Sequence, residues 1–114
     1  ALEMDCIRET VEGIVGVPQI LTTALIGEFV GGQFKVAIQE LQSRSRKQSV
    51  VFPRQVAMYL SRKHTQESLA DIGRVFNRDH ATVLHSIKVV SERAMRDHSV
   101  SAQLDLLNRK MEQL

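Results

Sequence analysis

The chain has a single cysteine, Cys6, so no disulfide can form within it. That lone thiol fits a reducing cytoplasm, and with no second cysteine there is no zinc framework. No run is long and apolar enough to cross a membrane, and the N-terminal residues lack a charged-then-apolar signal pattern. Glu3, Asp5, Arg8, Glu9 and Glu12 interrupt that first segment repeatedly. No internal repeat or low-complexity tract occurs. No segment alternates apolar and polar residues for long, which removes the signal of a half-buried strand. What is present is 114 residues of helical patterning, enough for one domain with an extra helix. A chain of this size buries roughly two-thirds of its unfolded surface and needs no metal or cross-link to fold.

Acid is also missing from one stretch. Residues 41–66 hold Arg44, Arg46, Lys47, Arg54, Arg62 and Lys63 and no Asp or Glu. The net charge of +2 therefore hides an asymmetry. Residues 1–43 carry 2 basic against 6 acidic residues, a net of −4, and residues 44–114 carry 13 against 7, a net of +6. Clustered positive charge suits a polyanion, because each neutralised phosphate releases a condensed counterion. A solvated basic loop is the plainer alternative.

Along the chain, residues 1–15 have a helical pattern with Leu2, Cys6, Ile7, Val11, Ile14 and Val15 toward one side. Gly16 to Gln19, with Pro18, breaks it. Thr22 or Thr23 can cap a helix bearing Ile26, Phe29, Val30 and Phe34, which Gly31-Gly32 weakens late in its course. A short helical segment spans Val36 to Leu41. Residues 43–52 read as a loop, and Pro53 fits the first turn of the helix after it, where its missing N–H costs nothing. Val56, Ala57 and Leu60 form that helix's inner face, with Tyr59 at its edge. Val100, Leu104, Leu107, Met111 and Leu114 make the stripe of a last helix. The fold class is all-α, a helical bundle.

The segment from Leu69 to Ser86 carries most of the information. Leu69, Ile72, Gly73 and Phe76 recur at i, i+3, i+4 and i+7, and Val83, Leu84, Ile87 and Val90 at i, i+1, i+4 and i+7. Between them Asn77 and Arg78 make a turn, for which Asn tolerates the left-handed conformation. Asp79 can cap the second helix, which should run to Met95 or Arg96. Gly73 lies on the inner face, where its missing side chain allows close approach. This is the layout of a helix-turn-helix, whose second helix can enter the DNA major groove. Beside it, the basic window favours DNA over a solvated loop.

Three separated motifs then resemble the C-terminal DNA-binding domain of the DnaA family of bacterial chromosomal replication initiators. They are Arg78-Asp79-His80-Ala81-Thr82-Val83-Leu84-His85, the upstream Pro53-Arg54-Gln55-Val56-Ala57-Met58-Tyr59-Leu60, and the basic Arg44-Ser45-Arg46-Lys47-Gln48-Ser49-Val50. The resemblance covers about residues 21–114 and implies a Trp-repressor-like helix-turn-helix bundle. Residues 1–20 match nothing nameable and are read as an N-terminal linker or lid-remnant helix. The resemblance implies that Arg46 reaches into a minor groove, that Arg54 and Gln55 hold phosphate, and that Arg62 meets the backbone. It implies that Asp79, His80, Ala81 and Thr82 read base edges. Arg44, Lys47, Arg78, His85 and Lys88 complete the candidate DNA-binding set.

The chemistry is consistent with those roles. Arginine in a narrow minor groove gains from the enhanced negative potential there. Asp accepts from cytosine N4, and an alanine or threonine methyl packs on a thymine methyl. Plainer readings stand beside them. Asp79 can serve as a cap alone, Thr82 can complete that cap, His85 can be a packed histidine, Lys88 a solvated charge, and Arg78 can pair with Asp71. Two departures from the family pattern bear on specificity. The single Asn77 replaces two glycines, and Ala81 replaces a hydroxyl residue.

The expected partner is double-stranded DNA, as short asymmetric boxes at a replication origin, with promoters as further targets and other replication proteins as partners of the full-length protein. A transcription regulator or transposase-associated module of the same fold is the alternative. No G-x-x-x-x-G-K-[ST] loop occurs, so no cofactor is expected in this chain, and ATP is expected only of a separate ATPase domain. The expected location is the cytoplasm, at the bacterial nucleoid. An enzyme is disfavoured. His80 and His85 point about 140° apart on a helix. Ser86, His85 and Asp79 share one helix and do not readily form a nucleophile–base–orienter chain. A pure interaction module would use the acidic first segment and the C-terminal stripe, and would show no salt-sensitive affinity for duplex DNA.

Overall fold

The computed structural model describes residues 21–113, and the expected helix over 1–15 lies outside them. Six helices follow in order: α1 (Thr23–Phe34), α2 (Ile38–Leu41), α3 (Gln48–His64), α4 (Leu69–Phe76), α5 (His80–Arg96) and α6 (His98–Met111). No strand occurs among the described residues, so the all-α expectation holds.

Four of the six helices start at a side-chain cap, while α2 and α3 start without one. Thr22 caps α1, its Oγ1 accepting from Leu25 N at 3.2 Å. The Glu67 carboxylate takes the Thr23 N–H at 3.2 Å and the Thr23 hydroxyl at 2.7 Å, which ties α1 to the segment before α4. Gly31-Gly32 does not end α1, which continues to Phe34. A Cβ on Gly31 would collide with the Val36 carbonyl, so the glycine is what lets the chain fold back after the helix. Ser68 caps α4 by accepting from Asp71 N, and Asp97 caps α6 by accepting from Ser99 N.

Two boundary expectations change. The helix assigned to start at Pro53 starts at Gln48, and Pro53 lies inside α3. The Val50 and Val51 N–H groups both reach the Lys47 carbonyl, so a helical turn forms ahead of the proline. Pro53 is early enough that most of the helix still propagates behind it. The segment assigned to Val36–Leu41 is helical only over Ile38–Leu41.

The core is continuous across the bundle. Ile26, Val30, Leu41, Val56, Met58, Leu60, Ile72, Phe76, Val83 and Val90 are fully enclosed. Full burial of such a side chain contributes about 1.5–3 kcal/mol. Val100, Leu104, Leu107 and Met111 of α6 close the bundle, as their spacing predicts. Phe52 joins α3 to both neighbours. It packs edge-on against Phe34, with ring centroids 5.9 Å apart, and Arg93 of α5 lies 4.4 Å over its ring.

One assigned core residue is not in the core. Leu84 is 56% exposed, while Val83, Ser86 and Val90 are the buried positions of α5. Val83 and Leu84 are adjacent and differ by about 100° in direction, so only one can face inward. The inward set runs through 83, 86 and 90 and includes a serine, which apolar periodicity alone passes over. Leu84 therefore shares the outward face with Ala81, His85 and Lys88, all exposed. No helix among the described residues is long and apolar enough to cross a membrane.

Candidate nucleic-acid interface

The turn between α4 and α5 sets the geometry. Asn77 sits in the left-handed region at φ 58°, ψ 45°, as its side chain permits. This reverses the chain, and the Arg78 N–H returns to the Gly73 carbonyl at 2.8 Å. A Cβ on Gly73 would collide with the Arg78 carbonyl and lie 3.2 Å from Val83 Cγ2. The glycine is thus required less by helix–helix approach in general than by the turn backbone crossing over it.

Asp79 then caps α5, its Oδ1 accepting from Thr82 N at 2.8 Å. This hydrogen bonding from Thr82 holds the Asp79 carboxyl below its usual pKa. The capping reading of Asp79 is satisfied, and its carboxylate remains exposed beside His80. His80, Ala81 and Thr82 are all exposed in the first turn of α5. His85 and Lys88 continue the exposed side farther along the helix.

The basic loop is joined to this turn. Arg44, Ser45, Arg46, Val51, Arg54, Asn77 and Arg78 line a cleft of about 430 Å³. Arg44 and Arg46 are exposed at its rim, and Lys47, also exposed, stands where α3 begins. Arg54 is only 6% exposed. Its Nε donates to the Leu41 carbonyl at 2.7 Å, and its Nη2 to the carbonyls of Ser43 at 3.0 Å and Ser45 at 3.2 Å. Burial, and secondarily the charge of Arg78, lower the Arg54 pKa. A residue assigned from sequence to phosphate thus has three backbone oxygens as partners, one at the end of α2 and two in the loop that follows.

Arg78 does not pair with Asp71, correcting that alternative. Asp71 pairs with Arg74 at 2.5 Å, while Arg78 donates to the carbonyls of Phe76, Asn77 and Ser43. Gln55 is half-buried on α3. Arg62 is exposed two turns beyond Arg54 and does not line the cleft. Sequence reading missed Gln42. Its Nε2 donates to the Val75 carbonyl at 2.8 Å, and its own carbonyl accepts from Asn77 Nδ2 at 3.0 Å. No spacing rule marks a glutamine whose partners lie 33 and 35 residues away.

Ser86 is buried at 4% exposure, on the inward side of α5. Among the described residues, no three His, Cys, Asp or Glu side chains gather as a metal site. What the surface offers is exposed arginine beside an exposed helix start, with donors, acceptors and small methyl groups in one short span.

The family model described as bacterial dnaA protein helix-turn-helix matches residues 23–90. The chromosomal replication initiator protein DnaA of Desulfotalea psychrophila is 52% identical over 113 residues, covering 99% of this chain and 24% of that protein. The DnaA of Desulfatibacillum aliphaticivorans is 46% identical over 97 residues, covering 85% of this chain and 21% of its own length. A crystal structure of a DNA replication initiation factor superposes with a TM-score of 0.70 at 34% identity, covering 77% of this chain and 27% of that one. The chain spans about a quarter of the length of the curated relatives it matches. The match of the helix-turn-helix model over residues 23–90, with 52% identity to a relative across 99% of the chain, places this chain in the bacterial DnaA helix-turn-helix family.

Proposed function

We propose that this chain binds double-stranded DNA sequence-specifically, recognising short asymmetric boxes at a bacterial replication origin. The observation that carries the reading is the joining of the basic loop to the helix-turn-helix turn. It sets exposed Arg44 and Arg46 beside the exposed start of α5. Arg44, Arg46, Lys47 and Arg62 supply charge, with Arg46 entering an A·T-rich minor groove. Asp79, His80, Ala81 and Thr82 read base edges in the major groove, where a donor, an acceptor and a methyl each have a distinct partner. His85 and Lys88 meet the strand farther along the helix. Arg54, Gln55 and Arg78 fix the register of these readers against the backbone.

In this reading ATP belongs to a separate ATPase domain of the full-length protein, which works at the bacterial nucleoid with other replication proteins. The test compares origin-derived and random duplexes at one fixed salt concentration, using the parent and His80→Ala. The parent should prefer the origin duplex. His80→Ala should lose about 1–3 kcal/mol of that preference while keeping its affinity for random DNA. Equal affinity of the parent for both duplexes would overturn the reading.

A further inference from the structure

We infer that Gln42 and Asn77 form a clamp that positions the basic loop relative to the recognition helix, so that both meet one duplex in a fixed register. The inference rests on the DNA-binding reading above. Residues 44–47 have no regular structure of their own. Their position relative to α5 is set by bonds that cross between the end of α2 and the α4–α5 turn. Gln42 Nε2 donates to the Val75 carbonyl and Asn77 Nδ2 donates back to the Gln42 carbonyl, at 2.8 and 3.0 Å. The next carbonyl, that of Ser43, takes Arg78 Nη2 from the turn at 2.7 Å and Arg54 Nη2 from α3 at 3.0 Å. The two neutral amides are thus the reciprocal half of the link, and the two guanidiniums the charged half.

The physical consequence is preorganisation. A loop free to move relative to α5 must be ordered when both engage DNA, and that cost is subtracted from affinity. A loop already held loses little on binding. Neither Gln42 nor Asn77 carries charge, so neither adds to the counterion term. A positioning residue of this kind should change discrimination and leave the salt dependence alone.

Two variants separate the clamp from the fold. Asn77→Gly removes the amide while keeping the left-handed backbone, which glycine adopts freely. Gln42→Ala removes the opposite amide from a half-buried surface position. Amide hydrogen exchange is measured over residues 43–47 in the free protein, and affinities for origin and random duplexes are measured across salt. In either variant, loop exchange should rise. Preference for the origin duplex should fall about fivefold, the scale of one net hydrogen bond. The salt slope should match the parent. Unchanged loop exchange or unchanged preference in both folded variants overturns the clamp, and an equal loss of affinity for origin and random duplexes overturns it in favour of direct phosphate contact. If the parent itself shows no preference, the DNA-box reading fails, and loop exchange in the free variants still decides whether the clamp holds the loop.

Discussion

Leu84 shows how one side chain changes role when its direction is known. Being 56% exposed, it gives an aspartate there no buried, unpaired carboxylate to support. Leu84→Asp should leave circular dichroism intact and shift stability by less than about 0.5 kcal/mol, as surface changes do. It should still weaken duplex binding, because it places a negative charge on the outward face of the recognition helix. Unfolding of this variant would return Leu84 to the core. Asp79 is separable in a similar way. Asp79→Ala removes a cap and should lower the melting temperature, while Asp79→Asn keeps a capping oxygen. Loss of origin-duplex preference in the folded Asn variant would assign the carboxylate to a base; unchanged preference would leave it as a cap alone. The pH dependence has a definite sign. Thr82 holds the folded pKa of Asp79 below its ordinary value. Its stabilising contribution is therefore present above the unfolded carboxylate range and fades as pH falls through the lower, folded value. Acid unfolding of Asp79→Asn should lack that component.

At the scale of elements, Arg54 and α3 govern the basic loop. The last carbonyl of α2 and two loop carbonyls face one nearly buried guanidinium. Arg54→Ala should cost about 2 kcal/mol, the range for hydrogen bonds to a charged group, and lower the melting temperature. It should also weaken binding to origin and random duplexes alike. A variant with unchanged stability and reduced binding would make phosphate contact its sole role. The same element exposes what periodicity could and could not yield. Val56, Ala57 and Leu60 are inner-face residues as their spacing predicts, and all three are fully buried. Pro53 is a poor start marker, because the turn from Gln48 forms ahead of it and the proline stands sixth in α3, where it forgoes one backbone hydrogen bond without ending the helix. The turn at Asn77 was legible because its left-handed backbone is a local demand that few residues meet. Arg78 was half legible: its charge is plain, but its carbonyl partners come from the chain's fold.

For the whole molecule, the basic surface and the core make separate predictions. Affinity should fall linearly in log–log form with salt, by a slope of about −4 if four or five phosphates are neutralised. A flat titration would remove duplex DNA as the partner. The stripe of Val100, Leu104, Leu107 and Met111 on α6 is core in this bundle and not a free interaction surface. Leu104 is 4% exposed, so Leu104→Ala should cost about 2–5 kcal/mol and lower the melting temperature. If binding fell with no change in stability, α6 would instead be acting as a contact surface.

The sequence by itself determined the order of the helices after residue 20, the helix-turn-helix with its Asp79 cap, the sign and place of the charge, and the family resemblance. Each is written in near neighbours: a 3.6-residue period, a capping side chain two or three residues from its N–H, or an unbroken motif. Only the tertiary structure decided that Leu84 faces outward while Ser86 is buried, and that Arg54 and Arg78 converge on the Ser43 carbonyl. It alone joined Gln42 to Asn77. Those outcomes depend on which helix packs where and on partners 11 to 35 residues away, where local pattern carries no signal.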